Sequence, residues 1–197
     1  IEPDPDKNEF NPEDYYARKF ALGNGKIFFT STPEEKTGKN GATVYAAGIF
    51  DEVYDDNAKM HIEQLIALPN PFALKFRTVA GKKKGPWFNT TDPSSGIVKD
   101  DHLILDMQNG VFTRQALWED NLGREVKIDI RRIVSHAQPD YAAIEYSVTP
   151  NNFGGTLEFE SSIDGTVTNH LIFEPKKKKI RNDEVIYLSM KTSKANL

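Results

Sequence analysis

The sequence predicts an all-β sandwich with one short helix near its N-terminus. Several short runs alternate apolar and polar residues with the two-residue period of a half-buried strand. Turn-forming residues separate these runs, and no segment after residue 25 has a long helical apolar period. Many short strands joined by tight turns are typical of two packed sheets, so we expect a sandwich.

The composition is that of a soluble globular protein. The 197 residues are 38% apolar and 27% charged, and a chain of this length can bury a sizeable core as one domain. The net charge of -4 argues against a nucleic-acid surface. No apolar run approaches the roughly 18 residues that a membrane span needs. Because the chain has no cysteine, it has no disulfide or thiolate chemistry, which fits the cytoplasm and the periplasm equally well.

The helix is predicted near the N-terminus from its capping residues. Asn11 can cap the helix, Pro12 suits the first helical position, and two acids follow in the first turn. Gly23 in LGNG is a stop signal, so we expect a helix over about residues 12–20.

Nine strand-like runs follow the helix. In VKIDIRRI, for example, Val126, Ile128 and Ile130 share one face. The nine predicted strands are Lys26–Thr30, Thr43–Phe50, Leu74–Val79, His102–Asp106, Val111–Trp118, Glu125–Val134, Ala142–Val148, Leu157–Ser161 and Val185–Lys191.

The stretch Leu105–Ile128 is predicted to belong to a three-stranded meander. Asn109-Gly110 is the preferred dipeptide of a two-residue hairpin turn, so LILDMQ and VFTRQALW should pair as antiparallel strands. The second hairpin turns at EDNLGR. We expect Trp118 to pack across strands, with Arg114 and Arg124 tying neighbouring strands together.

The chain ends at Leu197, directly after the strand-like run EVIYLSMKTS. A long apolar strand at an open sheet edge invites pairing with another chain. We therefore expect residues 1–197 to form a single domain whose C-terminal part is missing.

Adjacent acids are the first candidates for catalysis. A glycosidase needs two acids about 5–10 Å apart, one of them with a raised pKa. Acids beside turns are usually solvated, and we predict no catalytic residue among them. The four pairs are Asp51-Glu52, Asp55-Asp56, Asp100-Asp101 and Glu119-Asp120.

No metal, cofactor or nucleophile site is predicted. The histidines at positions 61, 102, 136 and 170 lack ligand spacing such as H-x-x-x-H. No serine lies in a nucleophile-elbow pattern, and no glycine-rich loop has the spacing of a phosphate site. Two lysine runs could bind anions, Lys82–Lys84 and Lys176–Lys179. Such runs beside Gly or Pro usually form solvated loops, or they lie on edge strands, where their charge discourages pairing with another strand.

The residues by themselves leave a carbohydrate-binding role open. Trp87 or Trp118 could stack on a sugar ring, although core packing is the expected role of Trp118. The triplet Asn89-Thr90-Thr91 is a glycosylation acceptor only in a secreted eukaryotic chain. No acid, base and orienting group come together in the sequence, so an enzyme complete in 197 residues is not predicted.

An ordered series of segments resembles the N-terminal domain of glycoside hydrolase family 65. The resemblance covers about residues 18–169, and its persuasive feature is the order of the segments, since no single one is diagnostic. The segments are FALGNG, TVYAAGIFD, LIALPNPFALKF, LDMQNGVFTRQALWEDNLGREVKI, AAIEYSVTPNNFGGTLEFES and IDGTVTN.

The resemblance implies an antiparallel super-sandwich of two large sheets, joined in the intact enzyme to a catalytic (α/α)₆ barrel. The family includes maltose, trehalose, kojibiose and nigerose phosphorylases and related hydrolases. They act on α-linked glucosides with inversion, using a glutamate of the barrel as general acid. No position of this chain matches a barrel residue, so no catalytic role is transferred to it. The expected function is that of a noncatalytic domain which supports the barrel and contributes to a homodimer.

One segment departs from the family pattern. After LGNG, phosphorylases commonly continue with glycines and arginines, whereas this chain reads KIFFTSTPEEKTGKNG. This departure favours a hydrolase slightly over a phosphorylase. The alternative to a supporting domain is a freestanding carbohydrate-binding module.

Overall fold

A computed structural model of the chain describes residues 12–38, 41–55, 57–166, 180–182 and 185–187. In these residues one helix precedes the strands. The helix is α1 (Pro12–Lys19), and the strands are β1 (Leu22–Gly23), β2 (Ile27–Phe29), β3 (Val44–Ala46), β4 (Phe50–Asp55), β5 (Met60–Leu65), β6 (Asn70–Ala80), β7 (Lys83–Trp87), β8 (Gly96–Asp106), β9 (Val111–Asp120), β10 (Glu125–Val134), β11 (Ala142–Pro150), β12 (Thr156–Asp164), β13 (Ile180–Asn182) and β14 (Val185–Tyr187).

Helix α1 confirms the predicted N-terminal helix. Pro12 occupies its first position, where the missing N–H leaves no intrahelical bond unmade. The helix is anchored by Ser31, whose N–H donates to the Ala17 carbonyl at 2.8 Å and whose hydroxyl donates to the Phe20 carbonyl. The predicted cap Asn11 lies outside the described residues. In the part of the chain that the structure describes, no helix is long and apolar enough to cross a membrane.

The sheets are antiparallel, and two of them pack against each other. The larger sheet has the order β11-β10-β9-β8, and the facing sheet has the order β12-β6-β7. Smaller sheets are formed by β1-β2-β3, β4-β5 and β13-β14. The predicted all-β antiparallel class with a short N-terminal helix is therefore confirmed.

The core lies between the two larger sheets. Along β10 the burial alternates, so that Val126, Ile128 and Ile130 point inward, as the sequence predicted. Trp118 of β9 is completely buried, and its ring meets Phe76 and Phe88 edge-on at centroid distances of 5.8 and 5.3 Å. Edge-to-face packing suits the quadrupoles of aromatic rings, so Trp118 is a packing residue and not a sugar platform.

The Asn109-Gly110 hairpin forms, but with a different turn. Asp106 pairs with Val111, which leaves four residues in the connection instead of the predicted two. Only Gly110 has a positive φ there, at 65°. The reason is Asp106, whose carboxylate accepts hydrogen bonds from the N–H groups of Gln108 and Asn109 and stabilises the longer turn.

Several strands were predicted with the wrong extent or were missed. The predicted strand Thr43–Phe50 is broken by a turn at Gly48, which has a φ of 85°. The hairpin β4–β5 was not predicted, because most of its described side chains are exposed and show no alternation of buried and exposed residues. Strand β7 was missed because lysines and a proline dominate it. Of Val185–Lys191, residues 188–191 lie outside the described residues.

Replacing Trp118 by alanine should destabilise the chain strongly. Its fully buried ring fills the space between the sheets, so Trp118→Ala should lower the free energy of unfolding by about 3–5 kcal/mol in urea denaturation. Leu122→Ala, at a side chain that is 55% exposed, is the control and should change it by less than about 0.5 kcal/mol. Equal losses for the two variants would contradict the assignment of Trp118 to the core.

Candidate functional site

The most unusual chemical feature is a group of charged side chains inside the sandwich. Arg114 of β9 and Arg132 of β10 occupy inward-facing positions in the alternation of their strands, and they are only 1% and 2% exposed. Their partners are Glu34 and Glu35, which are also buried and lie between β2 and β3. We call Glu34, Glu35, Asp101, Arg114 and Arg132 the ionic cluster.

Arg114 is held by two carboxylates from different parts of the chain. Its Nη1 and Nη2 donate to Glu35 at 2.9 and 3.2 Å. Its Nε and Nη2 also donate to Asp101 of β8 at 3.0 and 2.8 Å. This paired geometry matches the planar guanidinium to both carboxylates, and it joins two strands of one sheet to the segment before β3.

Arg132 holds the same segment at a second point. Its Nη2 donates to the carbonyl of Thr32 at 2.8 Å. Its Nε lies 2.8 Å from Oε1 of Glu34, which is an ion pair by distance, although the angle does not meet that of a hydrogen bond. The carbonyl of Glu34 accepts from the N–H of Leu74 on β6 at 3.0 Å. Residues 31–38 are thereby fixed to both large sheets.

The pKa values within the ionic cluster follow from this pairing. Burial would raise the pKa of Glu35, but the charge and hydrogen bonds of Arg114 outweigh it, and the pKa is lowered. Burial opposes the charge of Arg114, yet Glu35 and Asp101 raise its pKa well above the ordinary value. Burial and the negative charges of Glu35 and Glu34 raise the pKa of Tyr146, whose buried hydroxyl has no hydrogen-bond partner among the described residues.

The ionic cluster is not arranged for acid–base catalysis. A general acid of a glycosidase needs a raised pKa, whereas the pKa of Glu35 is lowered and its carboxylate is occupied by Arg114 and Thr90. A cleft of ≈ 240 Å³ beside the cluster is lined by Glu34 and Glu35 together with Lys75, Glu160 and Asp164. The ionic cluster therefore has a structural role: it holds residues 31–38 against β8, β9 and β10.

A second buried acid, Asp120, closes the hairpin between β9 and β10. It accepts from Thr78 of β6 at 2.6 Å and from Nε of Arg124 at 2.7 Å. Burial would raise the pKa of Asp120, but these bonds and those from the turn N–H groups lower it overall. Gly85 packs so closely on Arg124 that a side chain there would collide with the guanidinium. The prediction that Arg114 and Arg124 tie neighbouring strands together is confirmed.

The acid pairs weighed in the sequence lie on three strands where they are described. The expectation that they are solvated was wrong for Asp51 and Asp120, which are buried. Asp101 belongs to the ionic cluster, whereas Asp100 is exposed and lies 3.0 Å from His102. Asp56 lies outside the described residues. Asp51, Glu52 and Asp55 lie on β4, Asp100 and Asp101 on β8, and Glu119 and Asp120 on β9. Buried Asp120 serves as a hydrogen-bond acceptor for the fold.

The histidines and lysine runs are at the surface where they are described. His61 lies 3.6 Å from Glu52, and His136 is exposed. In the described residues no three His, Asp or Glu side chains converge in a way that could hold a metal ion. Lys82–Lys84 are exposed, and Lys83 and Lys84 lie on β7, which is an edge strand, as one of the two interpretations of this run predicted. His170 and Lys176–Lys179 lie outside the described residues.

Trp87 is half-buried and already in contact with cations. The guanidinium of Arg77 lies 4.3 Å from its ring centroid, and the ammonium of Lys75 lies 5.1 Å away. Cations over an indole ring are stabilised by its quadrupole, and they compete with a sugar for the same surface. This contact disfavours Trp87 as an open sugar platform.

Sequence reasoning missed Glu34, Glu35 and Arg132. A signal was present, because Arg132 continues the inward face of Val126, Ile128 and Ile130 in a strand that was correctly predicted. A charged residue on a buried face needs a buried partner of opposite charge. The partner could not be identified, since Arg114 and Glu35 are 79 positions apart in sequence.

Comparison with known proteins places the chain in a family. It matches the family described as "Glycosyl hydrolase family 65, N-terminal domain" over residues 6–197. It is 25% identical to a kojibiose phosphorylase of Halothermothrix orenii over 97% of this chain and 23% of that protein. It is 30% identical to a kojibiose phosphorylase of Thermoanaerobacter brockii over 83% of this chain and 20% of that protein. An α,α-trehalose phosphorylase of Thermoanaerobacter brockii is 41% identical over 34% of this chain and 8% of that protein.

These matches identify the family of this antiparallel sandwich. The chain belongs to glycosyl hydrolase family 65, whose N-terminal domain it matches along nearly its whole length. It spans less than a quarter of the length of the kojibiose phosphorylases of Halothermothrix orenii and Thermoanaerobacter brockii, at 23% and 20%.

Removing one member of the ionic cluster should be far more damaging than removing a surface ion pair. Arg114→Met leaves the buried carboxylate of Glu35 without its cation and should lower the free energy of unfolding by about 3–5 kcal/mol. Lys99→Met, which removes a 39% exposed partner of Glu119, is the control and should lose about 0–1 kcal/mol. The double variant Glu35→Gln/Arg114→Met should lose less than the sum of its single changes, and additive losses would contradict the pairing.

The lowered pKa of Glu35 predicts a loss of stability in acid. Its ordinary value is 4.5, so the stabilisation is complete above that pH and is lost as pH falls through the lower folded value. Urea unfolding between about pH 5 and pH 3 should therefore show a steeper decline for the wild type than for Glu35→Gln.

Salt separates this effect from that of the exposed Glu158, whose pKa Arg77 and Lys84 lower to about 2. Salt at about 1 M screens exposed pairs, so the contribution of Glu158 should fade while that of buried Glu35 remains. Parallel pH curves for the wild type and Glu35→Gln would contradict the assignment.

Proposed function

We propose that this chain is the noncatalytic N-terminal β-sandwich of a family 65 enzyme that acts on α-glucosidic disaccharides. In this proposal residues 1–197 form one domain, which supports a catalytic (α/α)₆ barrel in the same polypeptide. The observation that best supports this proposal is that the buried acids are already bound to arginines. Glu35 and Asp120 have lowered pKa values and are engaged by arginines, so neither is available as a general acid.

Phosphorolysis is the favoured reaction of the parent enzyme. Relatives that match 97% and 83% of the chain are named kojibiose phosphorylases, and a relative that matches 65% of it is named a glycosyl hydrolase. The segment KIFFTSTPEEKTGKNG, which suggested a hydrolase, provides Glu34 and Glu35 to the ionic cluster. The departure of this segment from the family pattern therefore has a structural explanation. For this reason the departure no longer favours a hydrolase, in which water attacks, over a phosphorylase, in which phosphate attacks.

A homodimer contact is part of the same proposal. The outer face of the sheet β8–β11 exposes Ile104 and Ile133 at 51% and 42%. A shallow hollow of ≈ 620 Å³ lies beside them, lined also by Val111, Thr113 and Arg131. Exposed apolar patches of this kind are typical of protein interfaces.

Activity assays of the full-length gene product test this function. With kojibiose, trehalose, maltose or nigerose, it should release glucose 1-phosphate from one of them only when phosphate is present. Residues 1–197 expressed alone are the control and should release neither glucose nor glucose 1-phosphate. Turnover by a clean preparation of residues 1–197 would contradict the noncatalytic assignment.

A further inference from the structure

The hairpin β4–β5 stands apart from the rest of the sandwich. It forms a two-stranded sheet of its own, and in the described residues it pairs with no third strand. Two-stranded hairpins are marginally stable in water unless one face is covered. We call this hairpin, Phe50 to Leu65, the arm.

One face of the arm is turned to solvent along its whole length. Directly opposed residues of an antiparallel pair share a face, and three such pairs are exposed on it. On the other face Asp51 is buried, whereas Met60 and Gln64 are exposed. The exposed pairs are Phe50 with Leu65, Glu52 with Glu63, and Tyr54 with His61.

The exposed face combines large apolar side chains with two carboxylates that lie opposite each other. Phe50, Tyr54 and Leu65 are 42%, 47% and 36% exposed. Glu52 lies directly opposite Glu63, and like charges in that position destabilise a hairpin. In the described residues Glu63 has no ion-pair partner, and the basic group paired with Glu52 is the imidazole of His61 at 3.6 Å. A cation placed between the two glutamates would relieve this repulsion.

We propose that this face of the arm docks on a basic surface of the catalytic barrel of the same polypeptide. An arginine or lysine of the barrel would bind between Glu52 and Glu63, and apolar side chains would cover Phe50, Leu65 and Tyr54. The inference rests on the proposed function. The two kojibiose phosphorylases share only 23% and 20% of their length with this chain, so most of each relative lies outside the sandwich. A covalently linked partner also has a high effective concentration, which favours it over a separate protein.

Photocrosslinking of the full-length gene product tests this contact. Tyr54 is replaced by p-benzoylphenylalanine, and the crosslinked peptides are identified by mass spectrometry. The expected product joins the arm to a lysine- or arginine-containing peptide from outside residues 1–197. Mixing isotopically heavy and light protein distinguishes a crosslink within one polypeptide from one between two copies.

Charge reversal tests the role of the glutamates. Glu52→Lys/Glu63→Lys should lower the yield of that crosslink about tenfold, because like charges facing each other across an interface repel. Asp100→Lys is the matched control, since Asp100 is also 53% exposed and lies beside a histidine, and it should leave the yield unchanged.

Three outcomes would overturn the inference: crosslinks confined to the sandwich, crosslinks between copies, or no crosslink at all. An unchanged yield in the double charge reversal would overturn it as well. These results are separate from a failure of the proposed function, because disaccharide turnover by the same preparation shows independently whether the barrel is active.

Discussion

The pairing of two buried arginines with two adjacent glutamates is the constraint on which the sandwich depends. Arg114 separates Phe112 from Ala116 along β9, so the ionic cluster lies between two apolar clusters and not at their margin. The register between β9 and β10 determines whether the arginines face the glutamates. In the pairing of β9 with β10, a slip of β10 by one residue would turn Arg132 outward and remove it from Glu34. Buried ion pairs add little net stability compared with apolar packing, so we interpret the ionic cluster as a device that specifies one arrangement of strands.

The segment that provides Glu34 and Glu35 shows how a departure from a family pattern can be structural. Glu34 and Glu35 meet Arg132 and Arg114 from the two neighbouring strands β10 and β9. The same segment binds β12, because the N–H of Gly38 donates to Asp164 at 2.6 Å. It thus connects elements that are distant in sequence. Its residue types are explained by the partners it must reach within the sandwich.

Local patterns predicted the parts of the fold that local physics determines. Helix α1 follows from its capping residues, and β10 follows from strict alternation of buried and exposed residues. Trp118 was correctly placed in the core because it lies in the middle of a predicted meander. The arm was missed because its exposed faces give no period. The ionic cluster could not be predicted, since burial of Glu35 depends on a partner that sequence spacing does not reveal. The buried state of Asp120 depends likewise on Thr78 of a distant strand.

The residues of the edge strand β7 determine whether a further strand can pair with that edge of the sheet. Pro86 has no N–H to offer a further strand, and the neighbouring lysines repel a second copy of the same border. The opposite border, β12, has no proline and is contacted by β14. Lateral extension of this sheet is therefore disfavoured at β7, where a further strand would lack a hydrogen-bond donor and would meet the lysine charges.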